Sequence, residues 1–437
     1  MEWQLILAFS LGGFVVVLLT GVPIAFGFLF VCMIMVMLLW GGPEGLSQLV
    51  LSIAARMARF VLLPIPLFIL MGEVMFHSGL APRIIDSVDM WLGRLPGRLG
   101  LVAVSSGTIL AALTGASMSS TAILGSLLTP EMEARGYKKP MSLGPILGSG
   151  GLAIMIPPSS LAVFLGALAL ISIGKLLIAI IIPGLLMAVL YAAYIIIRCN
   201  LQPSIAPPYD KPIPPISHRL KAIVKYILPL GLVVFLVIGV ILLGIATPSE
   251  AAATGALGTM LLAACYGKLP WEVVKKSVAG AIRITIMVFT ILVGAYSFAQ
   301  LLAFSGASRE LGLFIAGLPV APVFIVIGVL LFGIFLGMFM TPTGVLTVVI
   351  PLFMPVIIVL GMDPVWFGVL MLLNVEMATT SPPFGAGLYI MKGVAPPDTT
   401  MGAIYRAALP FLGCDLIAMG FIIAFPSITL WLPSVIR

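Results

Sequence analysis

The sequence predicts an all-α polytopic membrane protein that is built from two related halves. Of the 437 residues, 61% are hydrophobic and only 8% are charged, and the mean hydropathy is +1.26; a soluble core of this length does not have such a composition. Apolar runs long enough to span a bilayer recur along the whole chain. A proline pair interrupts two of these runs, at Pro157-Pro158 and at Pro382-Pro383. The shift of 225 positions that relates the two pairs also lays Pro130 on Pro355, so we expect an internal repeat.

Residues 1–59 are predicted to form two spans and one helix at the membrane surface. The two spans lie within 5–39 and are separated by the turn Thr20-Gly21-Val22-Pro23. The segment 44–59 carries charges among apolar residues and is expected to lie along the interface as an amphipathic helix.

The first repeat, residues 60–198, begins with a span from about Phe60 to His77 and continues with a helical hairpin at about 99–130. The limbs of this hairpin, Leu101–Thr114 and Ser117–Pro130, have 14 residues each and reach about 21 Å, less than the roughly 30 Å of the hydrocarbon core. Basic residues flank both ends and place both on the cytoplasmic side: Arg94, Arg98, Arg135, Lys138 and Lys139. We therefore predict a re-entrant hairpin. The alternative is one long kinked span whose small residues serve helix packing.

The rest of the first half contains a broken helix, a further span and a linker. The broken helix covers about 140–174 and is expected to break at Gly150-Gly151 and at Pro157-Pro158. A span at about 176–197 follows it. Residues 199–222 are predicted to form a proline-rich, basic linker on the cytoplasmic side.

Residues 223–281 and the second repeat, 282–437, complete the chain. The former are predicted to hold spans at about 223–245 and 250–266 and a basic amphipathic segment from Trp271 to Lys276. Thr247-Pro248-Ser249-Glu250 has the pattern of a capping box. The second repeat is predicted to contain a span at about 283–304, a hairpin at about 323–358, a broken helix at about 364–390 and a final span at about 403–430.

The charges beside the two hairpins predict that the halves are inverted relative to each other. Basic residues flank the first hairpin, whereas Arg309, Glu310 and Asp363 flank the second without a basic excess. Equivalent loops of opposite charge character lie on opposite sides of the membrane, as in an inverted-topology repeat. A count of ten crossings and two hairpins then places both chain ends outside. Arg56 and Arg59 also fall on the outer side, against the positive-inside rule.

The residues offer binding chemistry and no catalytic constellation. No Ser/His/Asp set, carboxylate cluster, phosphate loop or metal-ligand spacing stands out, so we do not expect an enzyme. The net charge of +7 comes from basic loop residues, which the positive-inside rule explains without nucleic acid. A channel would need repeated rings of carbonyls or charges. Two interrupted helices at equivalent places instead predict a transporter whose site lies between them.

The predicted site consists of hydroxyl groups, glycines and carbonyl oxygens at the breaks. Proline leaves carbonyl oxygens without a helical donor, and carbonyl and hydroxyl oxygens suit a hard cation such as Na⁺. The first candidate Na⁺ site contains Thr114, Ser117, Ser119, Thr121, Ile156, Pro157 and Pro158. The second contains Thr341, Thr343, Thr379, Thr380 and Ser381. Residues predicted to lie near the substrate are Ser159, Ser160, Pro382, Pro383 and Gly385. The alternative role of any single hydroxyl is helix packing.

Three acids lie inside apolar stretches, namely Glu73, Glu376 and Asp415. A charge within the membrane is costly, so each of these acids is a functional hypothesis. The alternative for each is a buried structural hydrogen bond or a position close to the headgroups.

The chain resembles the large membrane subunit of the tripartite ATP-independent periplasmic (TRAP) transporters, the DctM family. The resemblance covers essentially the whole chain. Its motifs occur in this order: Thr114-Gly115-Ala116-Ser117, Pro130-Glu131-Met132, Arg135-Gly136-Tyr137, Ile156-Pro157-Pro158-Ser159, Ser172-Ile173-Gly174-Lys175, Thr247-Pro248-Ser249-Glu250-Ala251-Ala252, Gly361-Met362-Asp363-Pro364, Asn374-Val375-Glu376, and Pro382-Pro383 with Gly385.

The resemblance implies an elevator-type importer in a bacterial inner membrane, with a static scaffold and a mobile part that holds both hairpins and both broken helices. It implies Na⁺ as the coupling ion, no other cofactor, and Thr114, Ile156 and Pro158 at the first Na⁺ site. It also implies two partners, a small four-helix membrane subunit (DctQ-like) and a periplasmic substrate-binding protein. The expected substrate is a small organic anion, with a carboxylate favoured. The alternative is a stand-alone Na⁺- or H⁺-coupled carboxylate carrier of the wider ion-transporter superfamily.

Overall fold

A computed structural model describes residues 2–93, 95–115, 117–207 and 214–435. Arg94, Ala116 and the linker segment 208–213, which the sequence analysis used, lie outside these ranges. Every regular element within the described ranges is helical, which confirms the predicted all-α class. Helices are numbered below in chain order.

The N-terminal part, as described over residues 2–93, consists of five α-helices and a short 3₁₀ helix at Phe60–Leu62. The α-helices are α1 (Trp3–Leu19), α2 (Ile24–Leu39), α3 (Pro43–Met57), α4 (Pro64–Ser78) and α5 (Ala81–Leu92). In α3 only Gly45 and Leu49 are buried, and Arg56 lies in its last turn. The sequence analysis predicts no helix at α5, although its apolar residues share one face and include the buried Ile84, Ile85 and Val88.

The first hairpin consists of α6 (Arg98–Thr114) and α7 (Ser117–Ala134). A Cβ atom added to Gly107 would lie 3.2 Å from Leu124 Cδ1. These two residues are about equally far along the chain from the connection at Gly115, so the two limbs run antiparallel. One long kinked span would keep them far apart, because a helix advances about 1.5 Å per residue.

The first broken helix consists of α8 (Lys139–Met155) and α9 (Ser160–Ala169), which are bent by 44° at the proline pair. The expected second break at Gly150-Gly151 is wrong, since α8 is continuous through both glycines. Because these glycines have no side chains, α7 and the helix Pro364–Thr380 can pack closely against α8 at these two positions. A long helix, α10 (Ile173–Leu201), closes the first half.

Three helices connect the halves: α11 (Ile216–Leu242), α12 (Pro248–Cys265) and α13 (Trp271–Phe304). The predicted capping box begins α12, where Glu250 Oε2 accepts a hydrogen bond of 2.8 Å from the Thr247 N–H, and Thr247 Oγ1 accepts one of 3.4 Å from the Glu250 N–H. The amphipathic segment at Trp271 and the following span form a single helix of 34 residues, because no proline interrupts them.

The second half repeats the first and contains seven helices. They are α14 (Ala307–Ala316), α15 (Pro322–Gly337), α16 (Pro342–Val359), α17 (Pro364–Thr380), α18 (Ala386–Val394), α19 (Met401–Ala424) and α20 (Ser427–Ser434). The shift of 225 positions lays both ends of α7 on both ends of α16, and both ends of α8 on both ends of α17. Helices α15 and α16 form the second hairpin, in which the rings of Phe332 and Phe353 lie 6.0 Å apart.

Equivalent residues of the two halves touch each other at the centre of the molecule. A Cβ atom on Gly151 of α8 would lie 1.5 Å from Glu376 Oε1 of α17, and position 376 is the repeat counterpart of position 151. Tyr191 of α10 likewise bonds to Asp415 of α19, one position from its counterpart. Two units in which a residue contacts its own counterpart are related by an approximate two-fold axis. An inverted-topology repeat requires such an axis.

The helices differ in whether they are long enough to span a membrane. Within the described ranges, six helices are long and apolar enough to cross a bilayer, or seven if the bent pair α8–α9 is one span. One of the six is α16, which is a limb of the second hairpin. The predicted ten crossings therefore include four that depend on helices of 16 to 18 residues, namely α1, α2, α12 and the first segment of the second broken helix, α17.

Candidate functional site

The proline pairs leave one carbonyl oxygen in each half without a helical donor. A helical carbonyl accepts from the N–H three or four residues later, and for Ile154 and Thr379 both of those positions are prolines. Both Pro-Pro bonds are cis. Beyond the first break, Ser159 Oγ accepts a hydrogen bond of 3.3 Å from the Ala162 N–H and so caps α9. Each half thus presents a free carbonyl beside the start of a second helix segment.

The tip of the first hairpin lies directly against the first break. Ser160 Oγ donates a hydrogen bond of 2.9 Å to Gly115 O. A Cβ atom on Gly115 would lie only 2.8 Å from Pro158 O, and its φ of +57° is left-handed, so the position needs glycine on two grounds. The structure therefore brings together the two segments that the sequence assigns to the first candidate Na⁺ site.

The hydroxyls of this tip differ in their placement. Thr114 Oγ1 donates a hydrogen bond of 2.9 Å to Leu110 O and lies 2.8 Å from Ser120 Oγ. Ser120 and Thr121 are buried, whereas Ser117 and Ser119 are only half-buried. Ser119 is among the predicted ligands, whereas Ser120, the residue that contacts Thr114, is not. The spacing of Ser120, Leu124 and Leu128, all buried, was the available signal, because residues four apart share one helix face.

Glycines on two neighbouring helices allow the tip to approach closely. A Cβ atom on Gly72 of α4 would lie 2.2 Å from Thr114 O. A Cβ atom on Gly150 of α8 would lie 1.9 Å from Thr121 Oγ1. The first candidate site is thus enclosed by α4, α8 and the hairpin tip, and Gly72 is a residue that sequence reasoning did not identify.

The second break concentrates carbonyl oxygens around a glycine. A Cβ atom on Gly385 would lie 2.5 Å from Thr379 O and 2.8 Å from Ser381 O. The hydroxyls of Thr379, Thr380 and Ser381 donate back to carbonyls of their own helix at 2.7, 3.2 and 2.8 Å. The hydroxyl protons of this cluster are therefore engaged, while the hydroxyl oxygens keep lone pairs that can bind a cation together with the backbone oxygens.

Among the described residues, the tip of the second hairpin contacts the second break through aromatic rings and not through hydrogen bonds. Thr341 is exposed and caps α16, where its Oγ1 accepts a hydrogen bond of 3.4 Å from the Gly344 N–H and lies 3.2 Å from Thr343 Oγ1. The ring centroids of Phe339 and Phe384 lie 5.9 Å apart. Within the described ranges, Thr341 and Thr343 make no hydrogen bond to the Thr379–Ser381 cluster, so the second predicted set comes together only in part.

The residues predicted to lie near the substrate differ in exposure between the two breaks. Ser159 is buried and Ser160 is half-buried. In the second half Pro382 is half-buried and Pro383 is exposed, while Gly385 is buried. The Pro383 carbonyl accepts a hydrogen bond of 2.8 Å from the Tyr405 hydroxyl. The second break therefore reaches the protein surface, whereas the first is covered by its hairpin tip.

Two of the three intramembrane acids lie in the core beside the pseudo-two-fold axis. Glu376 and Asp415 are 0% and 1% exposed. The Tyr191 hydroxyl donates a hydrogen bond to Asp415 Oδ1, whereas neither carboxyl oxygen of Glu376 has a hydrogen-bond partner of good geometry in the described part of the chain. The carboxyl groups of Glu376 and Asp415 interact with each other, so the structure brings together two acids that are 39 positions apart in the sequence.

The third acid, Glu73, lies elsewhere and has a local partner. Its Oε2 atom lies 3.4 Å from His77 Nε2, one turn along α4. A Cβ atom on Gly280 of α13 would lie 2.0 Å from the same oxygen. This arrangement favours a structural contact between α4 and α13 over a place in either candidate ion site.

A lysine at the start of α8 joins the two halves away from these sites. Lys139 Nζ lies 3.0 Å from Asp398 Oδ2 and donates a hydrogen bond of 2.8 Å to Thr399 Oγ1. It also lies 3.0 Å from a carboxylate oxygen of Glu133. The hydrogen bond from Lys139 holds the pKa of the Asp398 carboxyl below its usual range. The start of the first broken helix is therefore tied to the loop that follows the second.

Known proteins resemble the chain in sequence and in fold. A family model described as "Tripartite ATP-independent periplasmic transporter, DctM component" matches residues 11–428. The C4-dicarboxylate TRAP transporter large permease protein DctM of Pseudomonas aeruginosa is 30% identical over 397 residues, which is 90% of each chain. The isethionate TRAP transporter permease protein DctMQ of Oleidesulfovibrio alaskensis is 28% identical over 93% of this chain and 63% of its own length. The crystal structure of the Alcanivorax borkumensis YdaH transporter covers 94% of this chain and 99% of its own, with a TM-score of 0.72 at 12% identity; this likeness concerns the fold alone.

Proposed function

Because the chain belongs to the family of DctM components of tripartite ATP-independent periplasmic transporters, we propose that it is the permease subunit of a Na⁺-coupled importer of a small organic anion. Membership confirms the resemblance drawn from the motifs. It also confirms that the chain is a transporter component of the bacterial inner membrane and not an enzyme. Na⁺ coupling, the substrate class and the transport mechanism are proposed in addition to family membership.

The observation that carries Na⁺ coupling is the contact between the first hairpin tip and the first break. There Pro158 O faces Gly115 and Thr114 O faces Gly72, each less than 3 Å from the place of a Cβ atom that glycine lacks. Backbone oxygens at a broken helix are ligands that suit Na⁺, and a carbonyl in lipid must find some partner. The free carbonyls of Ile154 and Thr379 offer the same kind of ligand in each half.

The proposed mechanism is of the elevator type. The two hairpins and the two broken helices pack around the central crossing of α8 and α17, so they can move as one body. Helices α1–α4 and α11–α13 would form the scaffold against which this body moves. A rigid-body movement around a fixed site is a general solution for repeats of this kind.

The proposed partners are a small membrane subunit and a periplasmic substrate-binding protein. The name DctMQ of one relative joins the letters M and Q for a single permease chain that is longer than this one. This supports a second membrane component. The substrate is proposed to be an organic anion, because the names of the two relatives above mention a C4-dicarboxylate and isethionate.

Uptake into proteoliposomes tests the proposal. The chain would be reconstituted with its small subunit, radiolabelled succinate or isethionate and the cognate binding protein would be added outside, and an inward Na⁺ gradient would be compared with a K⁺ gradient. We expect uptake only with Na⁺ and the binding protein together. Uptake without the binding protein would favour the stand-alone carrier, and uptake driven by a proton gradient would refute the Na⁺ assignment.

A further inference from the structure

Two arginines at the end of α3 have no counter-charge. Arg56 lies in the last turn of α3 and Arg59 just after it. Among the described residues, neither forms an ion pair with a carboxylate. The same two residues are those that fall on the outer side against the positive-inside rule. Two guanidinium groups without a paired carboxylate give this place a local positive charge, which attracts anions.

Arg56 is held by an aromatic ring and Arg59 borders a cleft. The Arg56 guanidinium lies 5.3 Å from the centroid of the Tyr296 ring, a cation–π distance. Arg59 is exposed and lines a cleft of about 460 Å³ between the turn that precedes α4 and the end of α9. Apart from Arg59, the walls of the cleft are mainly apolar and include Phe60, Val61, Leu170 and Ile171.

Capping of α9 does not account for Arg59. The last carbonyls of a helix can attract a cation, but the two residues of α9 that line the cleft, Gly166 and Ala167, have carbonyls that already have donors. Gly166 O accepts a hydrogen bond of 3.1 Å from the Ile171 N–H, and Ala167 O accepts one of 3.2 Å from the Tyr296 hydroxyl. The guanidinium of Arg59 is therefore available to a ligand in the cleft.

The cleft lies at the end of the first broken helix that is opposite its basic start. Lys138 and Lys139 precede or begin α8 and are predicted to be cytoplasmic. The end of α9, and with it Arg59, then lies on the outer side. On that side a periplasmic protein would release its cargo. The wall formed by α9 belongs to the proposed mobile body, and the wall that carries Arg59 belongs to the proposed scaffold.

We propose that this cleft is an outer docking site for an organic anion that carries one anionic head on an apolar body. The carboxylate or sulfonate group binds Arg59, whose fork of N–H donors matches such oxygens. Phe60, Val61, Leu170 and Ile171 contact the carbon body, and the positive charge of Arg56 adds to the attraction. That the anion is the transported substrate rests on the function proposed above; that an anion binds here rests on the cleft alone.

Fluorine NMR with para-fluorobenzoate tests the site. The full chain would be placed in nanodiscs of zwitterionic phosphatidylcholine, and binding would be followed by broadening of the fluorine signal. We expect Arg59→Gln to weaken binding at least tenfold and Arg59→Lys to weaken it less, because lysine keeps the charge but loses the fork. Neutral para-fluorobenzyl alcohol should bind at least tenfold more weakly than the carboxylate to the unaltered chain.

Arg309→Gln serves as the matched control, since Arg309 is an exposed arginine at the start of α14. Binding that is equal in Arg59→Gln and Arg309→Gln, with both variants eluting and melting like the unaltered chain, would overturn the proposal. Displacement of the probe by phosphatidylglycerol in the nanodisc, but not by succinate or isethionate, would assign the cleft to a lipid headgroup and overturn its role in transport. Because the assay uses no ion gradient, loss of Na⁺-driven uptake would leave an Arg59-dependent binding result intact.

Discussion

At the residue scale, the first candidate site depends on glycines that lack a Cβ atom at points of contact. Gly72, Gly115 and Gly150 each face an oxygen at 2.8 Å or less from where a Cβ atom would lie. A side chain at any of these positions would displace an oxygen that the site uses. At Gly115 the left-handed φ is a second reason, besides the close oxygen, why the position requires glycine.

We expect Gly115→Ala to destabilise the protein and to abolish its stabilisation by Na⁺. Placing a side chain in the left-handed region costs about 1–2 kcal/mol, and the added methyl group also collides with Pro158 O. Gly267→Ala is the matched control, because Gly267 has a φ of +65° but no atom within 4 Å of its Cβ position. The measurement is the melting temperature of each variant in Na⁺ and in K⁺.

The comparison of the two variants separates backbone strain from site geometry. Both should melt at a lower temperature than the unaltered chain, but only Gly115→Ala should lose the difference between Na⁺ and K⁺. If Gly115→Ala retains the full Na⁺ effect, the tip of the first hairpin is not part of an ion site.

At the element scale, the two broken helices support each other at a single crossing. Glu376 of α17 lies against the bare backbone of Gly151 in α8. The carboxyl group is fully buried, and a side chain at position 151 would occupy the same space. This contact explains why α8 carries a glycine pair inside a continuous helix, which glycine otherwise weakens.

We expect Gly151→Ala to destabilise the protein by about 3 kcal/mol or more, because the new methyl group would overlap a buried side chain in a close-packed core. Gly151→Ala combined with Glu376→Ala should recover part of that loss, since the second change vacates the space. Gly402→Ala is the control, as Gly402 has no atom near its Cβ position. Chemical denaturation of the unaltered chain, of Gly151→Ala, of Glu376→Ala and of the double variant gives the double-mutant cycle.

A coupling energy near zero in this cycle would contradict the crossing of α8 and α17 at these residues. A positive recovery of about 0.5–3 kcal/mol is the range expected for residues in contact.

At the scale of the whole molecule, the two halves are related by an approximate two-fold axis. The counterparts Gly151 and Glu376 touch, and so do Tyr191 and Asp415 one position away from their counterparts. Cys414 Sγ lies 3.9 Å from Leu190 O in the same zone. Loop charges predict that the axis lies in the membrane plane and the halves are therefore inverted.

Labelling of two engineered cysteines tests the inversion. Ala134 and Val359 are exposed residues at the ends of α7 and α16, and they are repeat counterparts. In a background without Cys32, Cys199, Cys265 and Cys414, Val359→Cys should react with a membrane-impermeant maleimide added to intact spheroplasts. Ala134→Cys should react only after the spheroplasts are permeabilised.

Each of the two variants is the control for the other, because both positions end the second limb of a hairpin. Labelling of both cysteines from the same side would show that the repeats are parallel. Labelling of Ala134→Cys in intact spheroplasts would remove the ground for placing Arg59 on the outer side, because that placement depends on a cytoplasmic start of α8.

The sequence by itself determined the class of the protein, the repeat and the breaks at the two proline pairs. Composition decides membrane residence, and proline pairs interrupt helices through chemistry that acts within four residues. The hairpins, the capping box at Thr247 and the free carbonyls at Ile154 and Thr379 follow from the same short-range rules. The motifs near Gly115, Pro158 and Glu376 sufficed to place the chain in its family.

Only the tertiary structure decided which groups face each other. It made Gly150-Gly151 a packing surface for Thr121 and Glu376 instead of a break, selected Ser120 over Ser119 as the partner of Thr114, and joined Asp415 to Tyr191 across 224 positions. It also joined Arg59 to the end of α9 in one cleft. These contacts depend on how helices from both halves cross, and crossings are set by packing over the whole chain and not by the local order of residues.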